Sequence, residues 1–155
     1  MTPAITAVKK AKIPFTVHQY EHDANNTNFG EEAVEKLGVP AQQVFKTLVV
    51  QTDSKDLVVN VVPVQCKLDL NAVAKACGCK KAEMADKNLV QRTTGYVLGG
   101  VSALGQKKQL TTLIDNSAKN NETIFISAGK RGLELELSAL NLADLTRGRF
   151  ASITA

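Results

Sequence analysis

The chain alternates between two hydrophobic periods, one that suits a strand and one that suits a helix. Residues 44–51 (Val-Phe-Lys-Thr-Leu-Val-Val-Gln) and 57–63 (Leu-Val-Val-Asn-Val-Val-Pro) are β-branched runs separated by the turn-forming Asp53-Ser-Lys-Asp56, which predicts a hairpin. Both runs are apolar on two faces, so central strands are expected. Thr2 as a cap and Pro3 at the first helical position predict a helix over residues 3–12, and Pro14 separates it from an alternating strand at 15–20. A second helix fits 30–37, with Glu31 and Glu32 at its positive end and Gly38 closing it. Asp69 can cap a helix through Cys77 that stops at Gly78, and Asp86 a shorter one through Gln91. From Arg92 to Gln106 no period is sustained. Strands return at 111–114, 123–127 and 133–137, then a helix near 141–146 and a last strand near 149–153. Interleaving of this kind predicts an α/β (α+β) fold with a mixed sheet. With no internal repeat and no linker, one domain is expected over residues 1–155.

Composition narrows the function classes. A chain of 155 residues that is 44% hydrophobic can bury one sizeable core. Residues 1–25 carry no apolar run of the signal-peptide kind, since Lys9, Lys10 and Lys12 interrupt the helical stretch, and nothing approaches the roughly 20 apolar residues that span a bilayer. A cytoplasmic location is expected. Cys66, Cys77 and Cys79 are an odd number with too few neighbouring ligands for zinc, which favours buried, reduced thiols. His18 and His22 have the spacing of metal ligands on a helix, but the strand pattern of residues 15–20 would splay them apart. Neither a metal nor a cofactor is expected. The net charge of +4 is uneven: residues 75–131 hold ten Lys or Arg against four Asp or Glu, a local +6 that leaves −2 elsewhere. Such a region suits a polyanion such as RNA, and equally a solvated lysine-rich surface.

Three places could carry chemistry. Lys46 shares one strand face with Val44, Leu48 and Val50, while Phe45, Thr47 and Val49 make the other face apolar too, so its ammonium must reach a cleft or an anionic partner. The segment Thr93–Lys108 has four glycines between Gly95 and Gly105, which let a backbone approach a ligand and turn N–H groups toward an oxyanion or a phosphate. Its spacing matches neither a Walker loop nor a dinucleotide fingerprint, and Lys107 and Lys108 flank it. Ser127-Ala-Gly-Lys-Arg-Gly132 follows a strand and could hold a ribose or phosphate, or be a basic hairpin tip. Tyr20 and Asn28-Phe29-Gly30 could line the same cleft. No Ser-His-Asp arrangement is apparent, which leaves catalysis to backbone donors and substrate groups.

In order along the chain, Phe45-Lys-Thr-Leu48, Glu83-Met-Ala-Asp86, Thr94-Gly-Tyr96, Gly99-Gly-Val-Ser102, Leu104-Gly-Gln-Lys-Lys108 and Gly129-Lys-Arg-Gly132 resemble the bacterial Cys-tRNA(Pro) deacylases of the YbaK type. Met1-Thr-Pro-Ala4 and Tyr20-Glu-His-Asp23 through Gly30 fit as well. The resemblance covers nearly the whole chain. It implies a mixed, curved, barrel-like sheet with surrounding helices, like the editing insertion of prolyl-tRNA synthetase. It further implies hydrolysis of mischarged Cys-tRNA(Pro), metal-free and in transient complex with tRNA and prolyl-tRNA synthetase, with the substrate's own thiol attacking its ester. By the same resemblance Lys46 holds the phosphate or polar end of the terminal adenosine, and the backbone of Gly99, Gly100 and Val101 supports the oxyanion. Tyr20, Phe29, Thr47 and Ser127 shape the pocket, and Arg131 and Glu136 position polar groups. Two departures stand out: Ala103 replaces a proline of the family pattern and should loosen the loop, and Ala128 replaces a glycine and disfavours positive φ. The alternatives are a deacylase of the same fold for another residue, such as Ala-tRNA(Pro), and a non-catalytic tRNA-binding module.

Overall fold

Side-chain caps set most element ends. In the computed structural model, which describes residues 1–155, helix α1 (Pro3–Ala11) begins where Thr2 Oγ1 accepts the Ile5 N–H at 3.3 Å. Strand β1 (Thr16–Gln19) follows, then α2 (Phe29–Leu37), capped by Asn28 and closed by Gly38 in the left-handed region. The hairpin is β2 (Phe45–Thr52) and β3 (Leu57–Pro63). Helix α3 (Leu70–Cys77) carries the expected Asp69 and Gly78 caps. Strand β4 (Ala82–Met84) was not foreseen, because three residues are too short for a pattern. Helix α4 (Lys87–Thr94) starts at Asp86 as expected but runs past Gln91: Thr94 Oγ1 donates to Val90 O at 2.7 Å, and Gly95, with φ of 86°, supplies the stop. The remaining elements are β5 (Thr111–Asp115), β6 (Ile124–Lys130), β7 (Leu133–Leu137), α5 (Ala139–Thr146) and β8 (Arg149–Ala151). No helix is long and apolar enough to cross a membrane.

The expected mixed α/β fold is observed, with its strands divided between two sheets. One is antiparallel, in the order β1-β7-β6; the other is mixed, in the order β4-β2-β3-β5-β8. They meet at a single parallel bridge, Val44 to Phe125. Strands β2 and β3 are interior, as their two-sided apolarity predicts. Phe45 and Val49 enter a core of 19 buried residues that also holds Ile5 and Val8 of α1, Ile126 of β6, Leu135 and Leu137 of β7 and Leu142 of α5. On the other face, Val44 packs with Ala33 and Phe125, whereas Val50 packs with Val73 of α3, Leu113 and Ile153. The three cysteines are free and half-buried, so they are less enclosed than expected.

The loop after α4 is fastened to α1. Ala103 and Leu104 are buried in the large core, and Gly105, with φ of 69°, sits where a Cβ would lie 2.4 Å from the Pro3 carbonyl carbon. That contact is with backbone, which cannot swing aside. Gly105→Ala is therefore expected to cost about 3 kcal/mol through strain and displacement of α1. Urea unfolding of parent and variant measures it.

Candidate active site

Strand β2 has a partner along only part of its outer edge. It meets β6 at Val44 and β4 from Val50 to Thr52, and between those points no strand pairs with it. The hydrogen-bonded positions toward β3 are even-numbered, since Val44 O accepts the Val64 N–H at 3.0 Å and the Thr52 N–H donates to Asp56 O at 2.9 Å. The main-chain groups of Thr47 are thereby directed to the unpaired edge. A cavity of about 230 Å³ occupies this gap. It is walled by Val44 and the first residues of β2, Phe45 to Leu48, by the start of α2, the Leu98–Val101 loop and the end of the β6–β7 hairpin.

Lys46 lies where the two apolar clusters on its face of β2 part, and its Nζ donates to Val64 O at 3.3 Å. Next to it, Thr47 Oγ1 is buried without a hydrogen-bond partner. Such an orphaned hydroxyl in a cavity wall is costly unless a ligand or water completes it. Across the cavity, the Arg131 guanidinium lies over the Phe29 ring, 4.6 Å from its centroid, and its Nε donates to Leu98 O at 2.9 Å. Gly99, with φ of 82°, makes this clamp possible, because a Cβ there would lie 2.7 Å from Arg131 Nε and 2.8 Å from the Phe29 ring. Gly30 similarly lets α2 approach Val64. Lys46, Arg131 and the N-terminus of α2 make the cavity electropositive.

Lys46, Thr47, Tyr20, Phe29, Gly99, Val101, Ser127 and Arg131 are thus brought together around one cavity. Gly100 and Glu136 are not. The Gly100 N–H is spent on Val97 O at 2.9 Å, while the N–H groups of Gly99 and Val101 have no acceptor in the protein. Glu136 accepts from Thr123 Oγ1 at 2.6 Å and bonds His18 Nε2 at 2.8 Å, away from the cavity wall. His22 bonds buried Glu32 instead, so the two histidines serve different carboxylates. Lys107 and Lys108 also lie off this cavity. Ala128 is fully buried and has no positive φ; the positive-φ residues of that segment are Gly129, at 102°, and Gly132, at 81°.

The residue that sequence reasoning missed is Glu134. It sits two positions before Glu136 on the same face of β7, and it is this carboxyl that lines the cavity, 7% exposed and without a hydrogen-bonded partner. Burial pushes it up to about 8, whereas the hydrogen bond from Thr123 foremost, with that from His18, holds Glu136 below the ordinary carboxylate range. Burial first, then the nearby Glu134 and Glu32 carboxyls, raise Tyr20 to about 12, so it remains a hydroxyl donor. Period-two alternation could have found Glu134, since an acidic residue between Leu133 and Leu135 shares the Glu136 face. For Glu134 the unfolded chain releases its proton near the usual carboxylate value while the folded chain holds it to about 8, so stability falls as pH rises across that window. Glu134→Gln is expected to be no more stable than the parent at pH 4, and more stable by up to about 4 kcal/mol above pH 8. Thermal unfolding of both proteins across this range checks it.

Residues 25–145 match the family model described as "Aminoacyl-tRNA editing domain". The chain is 38% identical over 153 residues to the Enterococcus faecalis protein named "Putative Cys-tRNA(Pro)/Cys-tRNA(Cys) deacylase EbsC", covering 99% of this chain and 93% of the relative. It is 28% identical over 126 residues to a Geobacter metallireducens proline–tRNA ligase, covering 79% of this chain and 21% of that enzyme. The fold superposes with a TM-score of 0.84 on a structure described as a "putative trans-editing enzyme for prolyl tRNA synthetase", at 19% identity, with 100% and 99% of the two chains covered. With the match spanning most of the chain, including β2, the glycine loop and the β6–β7 turn, this protein belongs to the aminoacyl-tRNA editing domain family.

Proposed function

We propose that this chain is a deacylase that removes cysteine from tRNA for proline, using the thiol of the substrate as nucleophile. The observation that carries this reading is the chemistry of the cavity wall: a lysine, an unpaired carboxyl and free N–H groups, with no hydroxyl or thiol paired to a base. Of the small hydroxyls in the wall, Ser127 Oγ accepts the Gly129 N–H at 3.1 Å and Thr47 Oγ1 has no partner to take its proton, and no histidine lines the cavity. A substrate that supplies its own nucleophile needs none from the protein.

The cysteinyl sulfur attacks the ester carbonyl carbon and the bond to the ribose oxygen breaks, giving a cyclic thioester that water then opens to free cysteine. Glu134, close to half-ionised near pH 8, takes the thiol proton and returns it to the departing ribose oxygen. The N–H groups of Gly99 and Val101 support the oxyanion, and Lys46 meets the phosphate or polar end of the terminal adenosine. Tyr20, Phe29 and Thr47 shape the space around it, and Arg131 holds the loop that bears Gly99. The relative among proline–tRNA ligases supports a transient complex with that synthetase, which would select the tRNA in the cytoplasm.

The test is single-turnover deacylation of Cys-tRNA(Pro), Ser-tRNA(Pro) and Ala-tRNA(Pro), with and without prolyl-tRNA synthetase. Cysteine alone should be released; equal loss of serine would sink the thiol mechanism, and tRNA binding without any cleavage would make the chain a binding module. Lys46→Ala should slow cysteine release roughly 100-fold. Glu134→Gln should slow it as well and abolish the inflection near pH 8 in the rate profile.

A further inference from the structure

A second cavity of about 100 Å³ adjoins the first and shares Thr47, Leu48, Leu98 and Val101 with it. Eight of its ten lining residues are hydrophobic, among them Met84, Ala85 and Val90, and Lys87 is its one charged residue. Its lip is left open to water: Met84 is 51% exposed and Leu98 59%. Exposed apolar side chains grouped at a cleft mark a place where another apolar surface docks. Farther along α4, Asn88, Gln91, Arg92, Gly95 and Lys107 line a polar hollow. Lys107 is held there, since its N–H donates to Thr94 O at 3.1 Å and its stem covers Gly95. Asp86, the acid beside Lys87, gives its carboxylate to the N–H groups of Asn88 and Leu89. Lys87, Arg92 and Lys107 have no carboxylate partner within salt-bridge distance.

We propose that this side cleft binds the penultimate nucleotide of an RNA 3′ end, the one joined through its phosphate to the aminoacylated adenosine; the inference rests on the deacylase reading above. From the Lys46 cavity outward the surface runs cationic, apolar with a lysine, then polar and basic. That order matches the alternation of phosphate and base along an unpaired strand, in which bases lie on apolar side chains and cations meet the backbone. The base enters between Met84, Val90 and Leu98, Lys87 shares the linking phosphate with Lys46, and Arg92 with Lys107 takes the strand beyond it. Only an unstacked strand can present a base edge-on in this way, so the site reads a single-stranded end and not a duplex.

The test compares two esters, 3′-O-cysteinyl adenosine and the same ester of the dinucleotide CpA. The parent protein should show kcat/KM about tenfold higher for the dinucleotide. Met84→Ala and Lys87→Gln alter exposed side chains outside the first cavity; each should erase most of that gain and leave cysteinyl adenosine unchanged. Lys87→Gln should also flatten the salt dependence of the dinucleotide reaction by about one phosphate contact. Equal rates for the two esters, or variants that keep the full gain, overturn the subsite. If neither ester is cleaved, the deacylase reading fails by itself. Calorimetric binding of uncharged CpA against adenosine, in parent and Lys87→Gln, then decides the subsite on its own.

Discussion

An interior strand with a gap along one edge is the constraint from which the site follows. Strand β2 is covered on both faces by apolar clusters, yet between Val44 and Val50 its outer edge has no partner strand. Main-chain groups there cannot be left dry and unpaired, so the gap must remain open to solvent or ligand. The same gap accounts for an ammonium on a strand that is otherwise apolar. Lys46 sits where the cluster around Val44 and Phe125 ends and the cluster around Val50 and Val73 begins. Thr47, on the opposite face, meets the same opening with its unpartnered hydroxyl.

The far wall is held by a few exact fits of glycine against side chains. Arg131 is fixed twice, by the Phe29 ring and by Leu98 O, and this ties the β6–β7 turn to the glycine loop and to the start of α2. The loop can pass beneath the guanidinium only because Gly99 has no side chain. Three segments distant in sequence thus share one anchor. Buried Glu32 reinforces the arrangement, since it joins His22 and the Asp23 N–H to α2 beside Phe29.

Glu134 and Glu136 show how environment divides two like residues on one face of a strand. Glu136, served by Thr123 and His18, is held as a carboxylate; Glu134, enclosed by the cavity and served by nothing, holds its proton to about 8. A carboxyl of that kind lowers stability at neutral pH, a cost commonly found where a side chain has work to do in the site. The positive charges of Lys46 and Arg131 line the same space, which suits a polar, anionic substrate end.

Sequence alone determined the elements whose signals are local. The Thr2, Asp69 and Asp86 caps, the glycine stops and the two β-branched runs each act within a few residues, and all appear where the pattern placed them. It also singled out Lys46, because a charge on a two-sided apolar strand is anomalous without any knowledge of its neighbours. Only the tertiary structure decided which glutamate of β7 faces the cavity, which N–H groups of the loop are free, and that Gly100 is not among them. The existence of β4 was settled the same way, by three residues pairing with β2. These outcomes depend on contacts between segments far apart in the chain, and such contacts leave no periodic trace in either partner.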